Sequence, residues 1–311
     1  MKCIAIGTNS FLASCISGFI EAGVRIELII SMPLRDRPDN SYDLENYAQT
    51  NNIDYMESRD INSAKIKNKL ITLQPDLILS SWPRILDSEF LKIPLMGVLG
   101  SHPSDLPHNR GRHPLHWQIV LGIKESSLSF FWVDEGVDTG RVVLKKNFFI
   151  EPNQTIQELV DKVDTLGNIC AREIALNILP SKNYIGVKQD LSISNILRKR
   201  DRHDIFIDFR MNHKDIVLLV NSFSHPYPCA KVIYMDKVFD VISASTNYVS
   251  QDSLFAEHGK VFGLNGKKLS VKASGGIVNL TLKQNIGYLT DKIKYIHPPT
   301  KYLSMFPNLN F

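Results

Sequence analysis

Cysteine is scarce in this chain: Cys3, Cys15, Cys170 and Cys229 are the only four in 311 residues, and no two form a C-x-x-C pair. A disulfide framework and a cysteine-based zinc module are both excluded, and the apolar neighbours read as buried free thiols of a cytoplasmic protein. Long hydrophobic runs are also missing. Nothing approaches the roughly 20 apolar residues of a membrane span, and Met1-Lys2-Cys3-Ile4-Ala5-Ile6 moves directly into a strand pattern, so no membrane association or leader is expected. A net charge of +4 is small for this length; it permits an anionic partner such as a nucleotide phosphate but falls short of a dedicated nucleic-acid binder. The glycine signatures of nucleotide sites are absent too. After Gly7 comes Thr8-Asn9-Ser10-Phe11, the next glycine is Gly18, and there is no P-loop, which disfavours a nicotinamide oxidoreductase or a P-loop ATPase.

What remains is an ordinary globular composition, 43% apolar and 22% charged, without an internal repeat or low-complexity tract. The length points to two domains. The first 80 residues alternate between apolar runs, Cys3 to Ile6 and Ile26 to Ile30, and helical spacings such as Phe11, Leu12, Cys15, Ile16, Phe19 and Ile20 with Ser10 as the expected N-cap. Helices are expected near Leu44 to Thr50 and Ala64 to Leu73, and further strands at Asp76 to Ser80 and Met96 to Gly100. Strands separated by helices of this length imply a mostly parallel, doubly wound, Rossmann-like sheet. Beyond Gly100 come a loop rich in Pro, His and Arg, a helix opened by Pro114, and two strands around 127–133 and 141–150. A long helix then begins at the Thr155/Glu158 capping box and closes at Pro180. The expected domains are 1–185 and 204–311 with a linker at 186–203. Short strands around 232–234, 238–242, 260–262, 269–273 and 277–282 make the second domain β-rich, a small antiparallel barrel or sandwich.

Four of the nine histidines, His102, His108, His113 and His116, crowd into residues 102–116. No cysteine lies nearby and the acidic residues complete no recognised ligand spacing, so no metal is expected. Position is more informative. His102 follows the end of an apolar strand, and ligands of open parallel sheets bind beyond the carboxyl ends of their strands. The acidic, glycine-bracketed turn Asp134-Glu135-Gly136-Val137-Asp138-Thr139-Gly140 returns after one helix, which can bring Asp138 to the same edge. A histidine oriented by a carboxylate is an arrangement for proton transfer.

The run Ser101-His102-Pro103-Ser104-Asp105-Leu106-Pro107-His108-Asn109-Arg110-Gly111-Arg112-His113-Pro114, followed by residues 134–140, resembles the signature of the folate-dependent formyltransferases. That family includes methionyl-tRNA formyltransferase, glycinamide ribonucleotide formyltransferase and the sugar N-formyltransferases. Its pattern is a His in a Ser-Leu-Leu-Pro loop, then Arg-Gly-x-x-Pro, then Asp-x-Gly-x-Asp-x-Gly. Ile6 to Pro38 is similar to its first βαβ unit. Arg202, Asp204, Ile207 and Asp208, with Pro226-Tyr227-Pro228-Cys229-Ala230, resemble the start of its OB-like carboxy-terminal domain.

The resemblance implies transfer of the formyl group of 10-formyltetrahydrofolate to an amine, by an Asn–His–Asp constellation and without a metal. His102 corresponds to the histidine and Asp138 to the aspartate. The family's asparagine, two residues before the histidine, is replaced by Gly100. Asn109 is the expected replacement as oxyanion donor, with simple turn geometry as the alternative. Folate recognition falls by resemblance to two loops, one with Trp82, Arg84, Ile85 and Leu86 and one with Asp134 and Val137. Asp105, Arg110 and Arg112 are candidates for the substrate, the arginines for a phosphate.

The expected substrate is a nucleotide-linked amino sugar of surface-polysaccharide (O-antigen) biosynthesis rather than tRNA. There is no Lys/Arg-rich insertion in the amino-terminal loops, and lysines such as Lys267, Lys268, Lys292 and Lys294 form no continuous stripe. Methionyl-tRNA formylation is the alternative, and a catalytically silent folate-binding relative the second. A homodimer is left open.

Overall fold

The computed structural model describes residues 1–38, 41–181, 184–225, 227–247, 254–290 and 292–301. Pro226 and the 302–311 end of the expected second domain lie outside the described residues. The chain divides into two compact units. The first comprises Met1–Pro114, Glu125–Phe149 and Val160–Arg198; the second comprises Leu115–Lys124, Ile150–Leu159 and Lys199–Phe311.

The first unit begins with β1 (Lys2–Gly7), α1 (Ser10–Glu21), β2 (Arg25–Ser31), α2 (Leu44–Thr50), β3 (Asp54–Glu57), α3 (Ala64–Leu73), β4 (Leu77–Ser81), α4 (Ser88–Leu91) and β5 (Val98–His102). After β6 (Arg110–Gly111) come β7 (Glu125–Trp132), β8 (Val142–Phe149), α6 (Ile156–Glu173), whose first turn falls in the second unit, and β9 (Ile196–Leu197); α5 (Pro114–Val120) belongs to the second unit from Leu115 onward. Seven strands form one sheet in the order β3-β2-β1-β4-β5-β7-β8. The first five run parallel, while β7 and β8 are antiparallel. The apolar runs read as buried strands are such: Ile4, Ala5, Ile6, Ile29, Ile30, Ile78 and Leu99 are all almost fully buried.

Two local details differ from expectation. Asn9, not Ser10, caps α1, its Oδ1 accepting from Leu12 N at 3.1 Å and from Ser81 Oγ at 3.0 Å. β3 was not anticipated, because Asp54-Tyr55-Met56-Glu57 is a four-residue edge strand with both ends exposed and no apolar run. The capping box is present: Thr155 N donates to Glu158 Oε2 at 2.8 Å and Glu158 N to Thr155 Oγ1 at 3.4 Å. Close approach of α1 and α6 depends on small residues, since a Cβ on Gly18 would lie 2.2 Å from Asn168 O and one on Gly167 2.6 Å from the Phe11 ring.

The second unit holds α7 (His213–Ser222), β10 (Ala230–Tyr234), β11 (Lys237–Asn247), β12 (Val261–Asn265), β13 (Lys268–Ala273) and β14 (Gly276–Leu282). Its five strands pair antiparallel in the order β10-β11-β14-β13-β12. Ile216 and Val220 of α7 and Phe223 just beyond it join a core with Val232, Val241, Leu269, Val271, Val278 and Leu280. A β-rich carboxy-terminal domain is thus present. Among the described residues no helix is long and apolar enough to cross a membrane.

Candidate active site

The parallel strands β4 and β5 end side by side, and His102, Asn109 and Asp138 meet at the end of β5. His102, its last residue, is 5% exposed. Its Nδ1 lies 3.5 Å from Asp138 Oδ2, so the turn at 134–140 does return to the histidine, after β6, α5 and β7. Nε2 lies 2.8 Å from the main-chain oxygen of Asn109. A carbonyl oxygen only accepts, so Nε2 carries a hydrogen in this arrangement, and both ring nitrogens face oxygens. Asp138 Oδ2 is itself held by the backbone N–H of Gly111 at 2.9 Å. The arrangement is therefore a relay from amide to carboxylate to imidazole, fitted to hold and move a proton.

At position 100 the structure explains the missing asparagine. Gly100 pairs with Ser80 on one side and Phe131 on the other, in the middle of the sheet. A Cβ there would lie 2.7 Å from Val133 Cγ2 and 3.3 Å from Phe131 Cζ. Those two side chains occupy the room that an asparagine would need. Asn109 stands in a left-handed turn at φ 57°, a conformation that asparagine tolerates better than most residues. Its side chain does more than fit the turn. Oδ1 accepts from Asn195 Nδ2 at 3.0 Å, which leaves Nδ2 as the donating end of the amide.

Arg110 is 8% exposed and bonded internally, Nη1 to Val137 O at 3.0 Å and Nη2 to Ser194 Oγ at 2.9 Å. Its guanidinium ties the acidic turn to the segment near 194 and is not turned to solvent. Arg112 is exposed, with Nη1 donating to Pro83 O at 2.9 Å. Arginines 110 and 112 thus bring both candidate folate loops to one short strand. In the first of these loops Trp82 and Leu86 pack into the core, Ile85 is 71% exposed, and Arg84 donates from Nη1 to Arg59 O at 3.0 Å. In the second, Asp134 Oδ1 closes the turn by accepting from Gly136 N at 3.1 Å and Thr139 Oγ1 at 2.6 Å, while Val137 is 46% exposed. Asp105 is paired at the surface with Lys145 at 2.7 Å.

Sequence reading missed Gln189, Ser194 and Asn195, which fall in the stretch taken for a linker. Gln189 Nε2 donates to Asp138 O at 2.9 Å and to Gly140 O at 2.6 Å, and β9 pairs with β6. No periodicity marks these residues; only their partners in space do.

The comparisons with known proteins give the family. Residues 1–173 match the formyl transferase family, and residues 199–288 match the formyl transferase carboxy-terminal domain. The methionyl-tRNA formyltransferase of Nitrosomonas eutropha is 32% identical over 237 residues, covering 74% of this chain and 74% of the relative. That of Desulforamulus reducens is 24% identical over 281 residues, covering 89% and 87%. Among solved structures, the N-formyltransferase from Helicobacter canadensis, in complex with folinic acid and dTDP-3-aminofucose, aligns with a TM-score of 0.67 at 17% identity, covering 90% of this chain and 98% of that one. The sugar 3N-formyl transferase WlaRD, in the presence of dTDP and 5-N-formyl-THF, aligns with a TM-score of 0.64 at 17% identity, covering 92% and 99%. These structural likenesses share the fold. With both domains matched in order and a relative above 30% identity, the chain belongs to the formyl transferase family and is a formyl-transferring enzyme.

Proposed function

We propose that the enzyme moves the formyl group of 10-formyltetrahydrofolate to the amine of a nucleotide-linked amino sugar, in the assembly of a surface polysaccharide such as O-antigen. The observation that carries the chemistry is the His102–Asp138 contact at the end of β5, fixed from behind by Gly111 N–H. The loops at 82–86 and 134–138 are the candidate folate-binding surface, tied together through Arg112 and Arg110, with exposed Ile85 and Val137 offering apolar contact and Arg84 a charge for a carboxylate tail.

The cosubstrate supplies an electrophilic formyl carbon. When substrate enters, the Asn109 carbonyl yields its place on Nε2, the neutral ring of His102 carries its hydrogen on Nδ1 toward Asp138, and the freed Nε2 lone pair takes the proton that the amine loses as its nitrogen bonds to that carbon. Asp138 holds the charged ring. Asn109 Nδ2 donates to the oxyanion of the tetrahedral intermediate. When the bond from carbon to the folate nitrogen breaks, His102 returns the proton to that nitrogen, so charge and protons balance over the cycle. Asp105 and Arg112 are candidates for contacts to the sugar nucleotide, while Arg110 acts through the turn it holds.

The sugar reading is supported by the modest net charge of +4 and the lack of a continuous basic stripe. Methionyl-tRNA is the second reading, favoured by the names of the sequence relatives. A panel of nucleotide-linked 3- and 4-amino sugars, assayed beside methionyl-tRNA with 10-formyltetrahydrofolate, separates them. Turnover of a sugar nucleotide is the expected result; turnover of the tRNA alone overturns the assignment.

A further inference from the structure

Residues 174–198 lie between the two regions that match the family, yet the described part of this stretch is laid across the reacting edge of the first unit. We propose that Gln189–Leu197 is a positioning strap, with Asn195 and Gln189 as positioning residues for the transfer step. The inference rests on the formyl-transfer reading above for its effect on rate, but not for its effect on structure.

Among the non-glycine residues with left-handed backbone at this edge are Asn109 at φ 57° and Asp138 at φ 53°. Such conformations persist where the surroundings over-determine them. Each is bonded by the strap. Asn195 pairs with Asn109 twice, accepting from its backbone N–H at 2.8 Å and donating to its Oδ1 at 3.0 Å. Gln189, 7% exposed, donates from Nε2 to the carbonyls of Asp138 and Gly140. Between these two anchors Ser194 Oγ accepts from Arg110, whose other terminal nitrogen holds the carbonyl of Val137. β9 then pairs with β6 in parallel: Arg110 N donates to Asn195 O at 3.2 Å and Arg112 N to Leu197 O at 3.1 Å.

The consequence runs inward. Pairing with β9 fixes Gly111, whose N–H holds the Asp138 carboxylate, which faces His102 Nδ1. Asn195 fixes Asn109, whose carbonyl sits on Nε2 of the same ring. The strap therefore addresses the imidazole from both nitrogens without touching it. Side-chain contacts of this kind set geometry that the chemical step feels strongly and ground-state binding feels little.

Asn195 is exposed, so truncating it opens no cavity. In the full-length protein, Asn195→Ala is expected to lower kcat about five- to tenfold, the loss of one or two net hydrogen bonds, with KM for the formyl donor within about twofold. Asn195→Asp keeps the acceptor for Asn109 N–H and recovers part of the loss. Hydrogen exchange supplies a readout that needs no substrate. In Asn195→Ala the amides of Arg110, Gly111 and Arg112 exchange at least about tenfold faster, while those of β1 and β4 are unchanged. Unchanged exchange at 110–112 overturns the strap, as does faster exchange with kcat within about twofold of the parent. If Asn195→Ala fails to fold, Asn195→Asp carries both measurements. A parent enzyme inactive on every amine overturns the proposed function instead, and exchange alone then decides the strap.

Discussion

On the proposed mechanism, Asn109 compensates for the glycine at position 100. The strand position where the family pattern has an asparagine is crowded by Phe131 of the neighbouring strand and by Val133, and an asparagine appears instead in the loop whose carbonyl reaches His102. Asn109→Ala is expected to reduce kcat about 10²–10³-fold, the usual cost of one oxyanion donor, in a steady-state assay. Gly100→Asn, made in that background, does not restore the rate. It overpacks the sheet and lowers stability by about 1–3 kcal/mol, measurable by denaturant unfolding. His102 and Asp138 were legible as a pair because a motif carries them and one helix separates them. Asn195 and Gln189 were not, since a single polar residue in irregular chain has no spacing by which to be recognised.

The elements of the sheet were legible where burial is two-sided. Cys3 to Ile6, Ile26 to Ile30 and Leu77 to Ser80 are mostly apolar, with neighbouring residues on both faces buried. β3 is an edge strand, and β6 and β9 are two residues each, held only by one another, so no local pattern announces them. Helix α6 carries a further feature. Asp164, turned toward Ser10 at the start of α1, has its carboxyl pushed up to about 6 by burial, with the Asp161 charge adding to this and the Ser10 hydroxyl opposing it. The folded value lies above the ordinary 3.8, so the folded state binds the extra proton. This contribution to stability is complete below about pH 3.8 and is lost as pH rises through about 6. Asp164→Asn should therefore stabilise the protein at pH 8 by about 1–2 kcal/mol, and the gain should shrink toward zero near pH 4, as followed by urea midpoints at the two pH values.

At the scale of the whole molecule, charge distinguishes the two candidate substrates. A net +4 with no basic stripe suits one or two phosphates. KM for a sugar nucleotide is expected to change less than about threefold between about 50 and 200 mM salt, against about 10³-fold or more for a protein that grips about six to ten phosphates. Kinetics at three ionic strengths test this. The two-part organisation was legible from the switch of alternating helices and strands to short β runs, whereas the role of the stretch before Lys199 was not, because its polar composition is that of an ordinary connector. Its contacts bear on how such enzymes can be recombined. A chimera that takes its carboxy-terminal domain from a relative should change chains after Arg198. A junction placed just past residue 173, where the first family match ends, would exchange Gln189 and Asn195 for foreign residues and so alter the catalytic loops while leaving every residue of the signature motifs in place.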